Sequence, residues 1–170
     1  MSADAGDAAE ATVYLTRQHR EIEAALREAL DAEDGAVKRS RFLDIADALT
    51  VHVASEELVF YPAVHASRTE DILLESLEEH LAIKRLLADL IALDGDDPTF
   101  QPKLHVLKEQ AEHHHREEED KLFPKVRGEM GAERREALGV ELNALQARLQ
   151  AEGRPRRAVL AQTDAAEPLH

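Results

Sequence analysis

Apolar residues recur along this chain at steps of three and four, the period of helices that bury one face. Leu15, Ile22, Leu26 and Ala29 share one face of a predicted helix from about Ala9 to Asp34, with Gly35 as its stop. Phe42, Ile45, Leu49 and Val59 stripe a second helix from about Ala36 to Phe60. Pro62 ends or kinks it, because the ring lacks an N–H and crowds the preceding turn. Leu73, Ile83, Leu87 and Leu90 mark a third helix from about Glu70 to Leu93, and the run Asp94-Gly95-Asp96-Asp97-Pro98 reads as a loop. Leu104, Leu107, Ala111 and Leu122 mark a fourth, from near Thr99 to Phe123, with Pro124 as a second kink. Leu138, Leu142, Leu145 and Leu149 mark a fifth, about Ala132 to Glu152. No strand-like alternation runs beyond four residues. The predicted fold is all-α, an up-down-up-down antiparallel four-helix bundle over residues 9–130. A disordered tail (1–8) precedes it, and an amphipathic C-terminal helix (131–152) and a flexible tail (153–170) follow.

Ionisable side chains break the four main stripes. His19 falls on the seam between Leu15 and Ile22, His52 and Glu56 between Leu49 and Val59, His80 between Leu73 and Ile83, and His114 and Glu118 after Ala111. Burying an isolated carboxylate costs several kcal/mol unless it is paired or bound to a metal. Four imidazoles and two carboxylates meeting at mid-bundle cannot all satisfy one another, whereas a metal centre satisfies all six. His52–Glu56 and His114–Glu118 are both i,i+4 pairs, so each pair faces the same way on its helix. The two halves also repeat. HVASEELVFYP (52–62) aligns without a gap on HHREEEDKLFP (114–124), and each half supplies one lone His plus His-x3-Glu.

In the triplet His113-His114-His115, the register that continues Leu107 and Ala111 and matches the first repeat's distance to proline selects His114 with Glu118. His113, His115, Glu117 and Glu119 are left outside the ligand set, and the acidic run Glu117–Asp120 otherwise reads as a solvated face. His65, His105 and His170 read as surface residues, and Phe60, Tyr61 and Phe123 as packing, with Tyr61 on the far side of a straight helix. Nitrogen and oxygen donors without thiolate suit iron, manganese or zinc. Two carboxylates on opposed helices favour bridging of two metals.

Composition narrows the partners. The 170 residues carry 21 Lys+Arg against 35 Asp+Glu, a formal charge of −14. Such a surface repels phosphate backbones and anionic membranes, so neither nucleic acid nor membrane is expected as a partner. Cysteine is absent, which removes disulfides, thiolate catalysis, Fe–S clusters and Cys-based zinc sites, and fits a reducing cytoplasm. The start, MSADAGDAAEAT, lacks the basic and apolar regions of a signal peptide, so a cytoplasmic location is expected.

The pattern His…His-x3-Glu…His…His-x3-Glu, with its aromatic-Pro ends, resembles the hemerythrin-like HHE cation-binding domain over residues 12–126. The resemblance implies a non-haem di-iron centre bridged by oxo or hydroxo. It also implies that His19 and His52 serve one iron, that His80 and His114 serve the other, and that Glu56 and Glu118 bridge. Its expected ligands are O2, H2O2 or NO. The oxygen-carrying members have a further His four residues after the third-helix ligand, where this chain has Lys84, so simple reversible O2 carriage is not implied. Glu23 or Tyr14 is placed to reach into the gap. The expected function is O2 binding or reaction with peroxide, with catalase-like turnover in view. The alternatives are an iron, O2 or NO sensing or storage module without turnover and, more plainly, a zinc bundle. The stripe Leu138–Leu149 offers a route to an oligomer.

Overall fold

The computed structural model describes residues 9–170, so the tail expected at 1–8 lies outside it. Helix α1 (Ala11–Asp31) starts where the Glu10 carboxylate accepts from the Val13 N–H. It ends at Asp31, with Ala32 as its C-cap, three residues short of the Asp34 expected. Gly35 instead opens α2 (Gly35–Ser55), capped by Asp34, whose side chain accepts from Val37 N–H. The reason is a close backbone approach. A Cβ on Gly35 would stand 2.1 Å from Asp96 Oδ1, and one on Gly95 would stand 1.8 Å from the Gly35 carbonyl oxygen. The two hairpin turns therefore touch through their glycines.

The second and fourth predicted helices do not stop at their prolines. After α2 the chain makes one π-helical turn, Glu56–Phe60, and continues as the short α3 (Tyr61–Val64). Helix α4 (Glu70–Ile91) returns along the bundle, and α5 (Phe100–Glu117) runs back. A second π turn, Glu118–Leu122, then leads into α6 (Phe123–Glu129). Among the described residues there is no strand. α1 packs on α2 and α5, and α4 on α5 and α2, closing the four-helix ring. Among the described residues no helix is long and apolar enough to cross a membrane.

Two further pieces cover the ring. Helix α7 (Ala132–Glu152) lies against α1, α2 and the first π turn, burying Leu138, Leu142 and Leu145. The segment read as a free tail after Gly153 is partly ordered. Pro155–Ala161 forms a 3-10 helix on α2 and α4, with Val159 buried in the core and Arg156 paired to Asp47 at 2.6 Å. A single apolar side chain at the right place holds a stretch whose composition shows no helical stripe.

The core is in two parts. One cluster gathers Leu26, Phe42, Leu49, Leu87, Phe100 and Leu104 at the end holding the Gly35–Gly95 contact. The other gathers Leu15, Phe60, Leu73, Phe123, Val126 and Leu142 at the opposite end. Between them lies a layer of buried ionisable groups.

A candidate metal centre at mid-bundle

His19, His52, Glu56, His80, His114 and Glu118 all converge in that layer, and each is almost wholly excluded from solvent. α1 and α4 each bring one imidazole, and α2 and α5 each bring one, followed by its carboxylate at the start of a π turn. Glu56 lies at the centre. Its Oε1 is 3.1 Å from His52 Nε2 and 3.8 Å from His19 Nε2, while its Oε2 is 3.0 Å from His80 Nε2 and 3.7 Å from His114 Nε2. Glu118 Oε1 is 3.3 Å from His19 Nε2 and 3.2 Å from His114 Nε2. Three sets of donor atoms lie close enough to share an ion: His19, His52, Glu56 and Glu118; His19, His52 and His115; and Glu56, His80 and His114.

The sequence repeat is a repeat in space. The second Glu of each Glu-Glu pair reaches across to the lone His of the other half, Glu119 to His19 Nδ1 at 2.8 Å and Glu57 to His80 Nδ1 at 2.9 Å. The residue before each lone His backs the paired His of the same half, Gln18 on His52 Nδ1 at 2.8 Å and Glu79 on His114 Nδ1 at 3.3 Å. Each aromatic before proline stacks on a ring of the other half, Tyr61 on His80 at 5.4 Å and Phe123 on His19 at 6.0 Å between centroids. With Nδ1 occupied, each of the four rings turns Nε2 to the centre.

Electrostatics follow from this crowding. Burial opposes charge on His19, but the carboxylates of Glu118, Glu119 and Glu56 outweigh it and push the ring up to about 10. The same contest, with the carboxylates winning, raises His80 and takes His114 well above the imidazole range. Burial works against ionised Glu56 as well, yet the surrounding imidazoles hold it well below the carboxylate range. Burial and the nearby Glu118 and Glu56 charges keep the Tyr61 phenol protonated.

Four side chains depart from the sequence expectations. His115, left outside the ligand set, is fully buried, and one of its ring nitrogens groups with those of His19 and His52. Burial, then the neighbouring His19 and His52, drive its pKa well down, so it stays a neutral donor. Its signal was in the chain, since His115 is four residues beyond Ala111 and eight beyond Leu107. Tyr61, expected on the far side, is turned inward by the π turn, and its hydroxyl donates to Glu118 Oε2 at 3.0 Å and lies 3.2 Å from His80 Nε2. Glu23 and Tyr14 do not complete the set. Glu23 accepts from His115 Nδ1 at 2.8 Å, and Tyr14 donates to Gln146 at 2.9 Å. Lys84 is buried against Glu57 Oε2 at 2.9 Å. His113, by contrast, is exposed, and Glu117 pairs with Lys121 at the surface.

The donor set fits a pair of cations. His19 Nε2, His52 Nε2, His115 Nε2, both Glu56 oxygens and Glu118 Oε1 are buried without a hydrogen-bond partner. Orphans of this kind are costly singly and rarer in clusters. His80 Nε2 and His114 Nε2 face each other at 3.0 Å although a carboxylate sits on the other nitrogen of each ring. Cations taking the place of the protons these rings otherwise carry would satisfy the buried nitrogens and carboxylate oxygens together.

Comparison with known proteins agrees with this arrangement. The model of the hemerythrin HHE cation binding domain matches residues 11–126. A crystal structure of a hemerythrin HHE cation binding domain-containing protein from Mycobacterium kansasii superposes with a TM-score of 0.77, covering 91% of this chain and 99% of that one at 20% identity. A protein from Nostoc sp. named DNA nickase is 28% identical over 136 residues, 80% of this chain. The match spans 39% of that protein's length. Since the family model takes in both lone histidines and both His-x3-Glu pairs, the chain belongs to the hemerythrin HHE cation-binding domain family.

Proposed function

We propose that this domain holds two iron ions, joined by an oxo or hydroxo bridge, and uses them to bind O2 or NO or to react with peroxide, with catalase-like turnover as the sharpest form. The observation that carries the reading is the cluster of buried, unpartnered donor atoms on His19, His52, His115, Glu56 and Glu118. In this reading His19, His52 and His115 serve one ion, His80 and His114 the other, and Glu56 and Glu118 lie between them. Redox-active iron would supply electrons to a small oxidant and an acidic site for its oxygen.

The protein's own groups shape what reaches that site. The two apolar clusters close it above and below, so only a small ligand enters without displacing side chains. Tyr61 holds its proton on the hydroxyl, 3.0 Å from Glu118 Oε2, as a fixed donor beside the second position. Lys84 replaces a possible imidazole there and holds the Glu57 carboxylate that orients His80. With only two imidazoles on that side, an ion held there by His80 and His114 would have more room for an external ligand. A charge of −14 supports the expectation that DNA is not the partner.

The test is metal analysis of the purified chain with absorption spectra before and after dithionite and air. Two irons per chain and a visible ligand-to-metal band that responds to reduction are expected. A colourless zinc protein would overturn the reading, because d¹⁰ zinc gives no such band. Adding peroxide to the iron-loaded protein then separates turnover from binding. O2 release that His80→Ala abolishes marks catalysis, and none in the parent protein rules out turnover and leaves the sensing or storage alternative.

A further inference from the structure

The halves of the site match closely, and they differ most plainly behind one ring. Among the five buried imidazoles, His19, His80, His114 and His115 each set Nδ1 against a carboxylate. His52 alone has a neutral partner, the amide oxygen of Gln18 at 2.8 Å. The position that corresponds to Gln18 in the other half holds Glu79. An amide polarises an imidazole less than a carboxylate does and holds it less firmly.

Gln18 is itself held from outside the four-helix ring. The Gln146 amide on α7 donates to Gln18 Oε1 at 2.9 Å and accepts from Gln18 Nε2 at 2.5 Å. Gln146 also donates to Ser55 Oγ at 3.0 Å and accepts from Tyr14 at 2.9 Å, so its whole hydrogen-bonding capacity is spent. It is buried on the inner face of α7 among Leu138, Leu142 and Leu145, where a leucine would fit the stripe. A cleft of about 420 Å³ between α1, α2 and α7 brings solvent to the outer side of both amides. The amide pair is the wall between that water and His52 Nδ1.

We propose that Gln146 is a positioning residue for the metal site, locking Gln18 so that His52 turns Nε2 inward, and that α7 is thereby part of the site rather than only a cover for it. The inference rests on the metal-binding reading above. Cobalt(II) alone is the probe, since its visible bands report ligand number and geometry and its uptake can be titrated without turnover.

The parent protein is expected to take up two Co(II); if it takes up none, it is the metal-binding reading that fails. Gln146→Leu keeps α7 docked and is expected to bind one of the two ions ~10- to 100-fold more weakly, with altered visible bands. Adding Gln18→Glu to Gln146→Leu puts a carboxylate behind His52, as Glu79 stands behind His114, and is expected to restore the affinity. Leu138→Ala loosens α7 without touching the amides and is expected to lower the unfolding midpoint but leave Co(II) affinity unchanged. The proposal is overturned if Gln146→Leu binds and absorbs like the parent, or if Leu138→Ala weakens cobalt binding equally. Should Gln146→Leu not fold, Gln146→Asn, too short to span the gap, is read against the same two outcomes.

Discussion

Individual side chains decide how many nitrogens this centre offers. His113, His114 and His115 are consecutive, yet only the last two are buried. His115→Ala is expected to lower iron affinity by about tenfold or more, and His113→Ala to leave it unchanged. Equilibrium competition with a chelator checks both. The six residues of the His and His-x3-Glu pattern could be read from spacing because helical phase alone puts them on the seams. His115 was missed because a choice of one register out of three treats a helix face as a line. A buried stripe is wider than that, and two adjacent residues can both border it. The roles of Glu57 and Glu119 were not legible at all. Each orients a ring on another helix, and no pattern along one helix carries that information.

Helix geometry explains what a straight wheel gets wrong. In each half the amide after the turn reaches back five residues, Tyr61 to the Glu56 carbonyl and Phe123 to that of Glu118. The wider turn rotates everything after it relative to an unbroken α-helix. Tyr61 consequently faces the site, and Phe60 and Phe123 meet edge to face at 5.7 Å in the core. The prolines at 62 and 124 signalled an interruption, but not its form. The C-terminal 3-10 helix was invisible for a different reason: Val159 is one buried residue with no periodic companions. Val159→Asp would bury an unpaired carboxylate and is expected to cost about 3 kcal/mol, or to undock the segment. Urea unfolding measures the first result. Faster tryptic cleavage after Arg156 or Arg157 reports the second.

At the scale of the whole molecule, two oily ends enclose a titrating middle, so metal-free and metal-loaded protein respond to pH in opposite directions. Rings held above the usual ~6.5 stabilise the metal-free fold fully below that pH, and for His19 the contribution is lost as pH rises through about 10. Glu56 and Glu118, held low, contribute above the usual ~4.5 and lose that contribution as pH falls further. His115, pushed down, adds a penalty below ~6.5 as its unfolded ring takes up a proton. The metal-free protein is therefore expected to weaken steadily from near neutrality toward pH 10. The loaded protein needs neutral rings, so it is expected to weaken and release iron as pH falls below ~6.5. Urea midpoints across that range, with and without iron, check both signs, and retention of both irons at pH 4 would contradict the ligand set.

Besides Gln18 against Glu79, the repeat breaks at two further pairs of matched positions. Where one half sets His115 against Glu23, the other has Val53 and the buried cation of Lys84. On the two-metal reading proposed above, an ion on the Lys84 side would meet one imidazole fewer and one positive charge more. Filling is therefore expected in two steps separated in affinity. A half-filled species should be isolable, and a different metal added to it should give a mixed pair with each element at a known address.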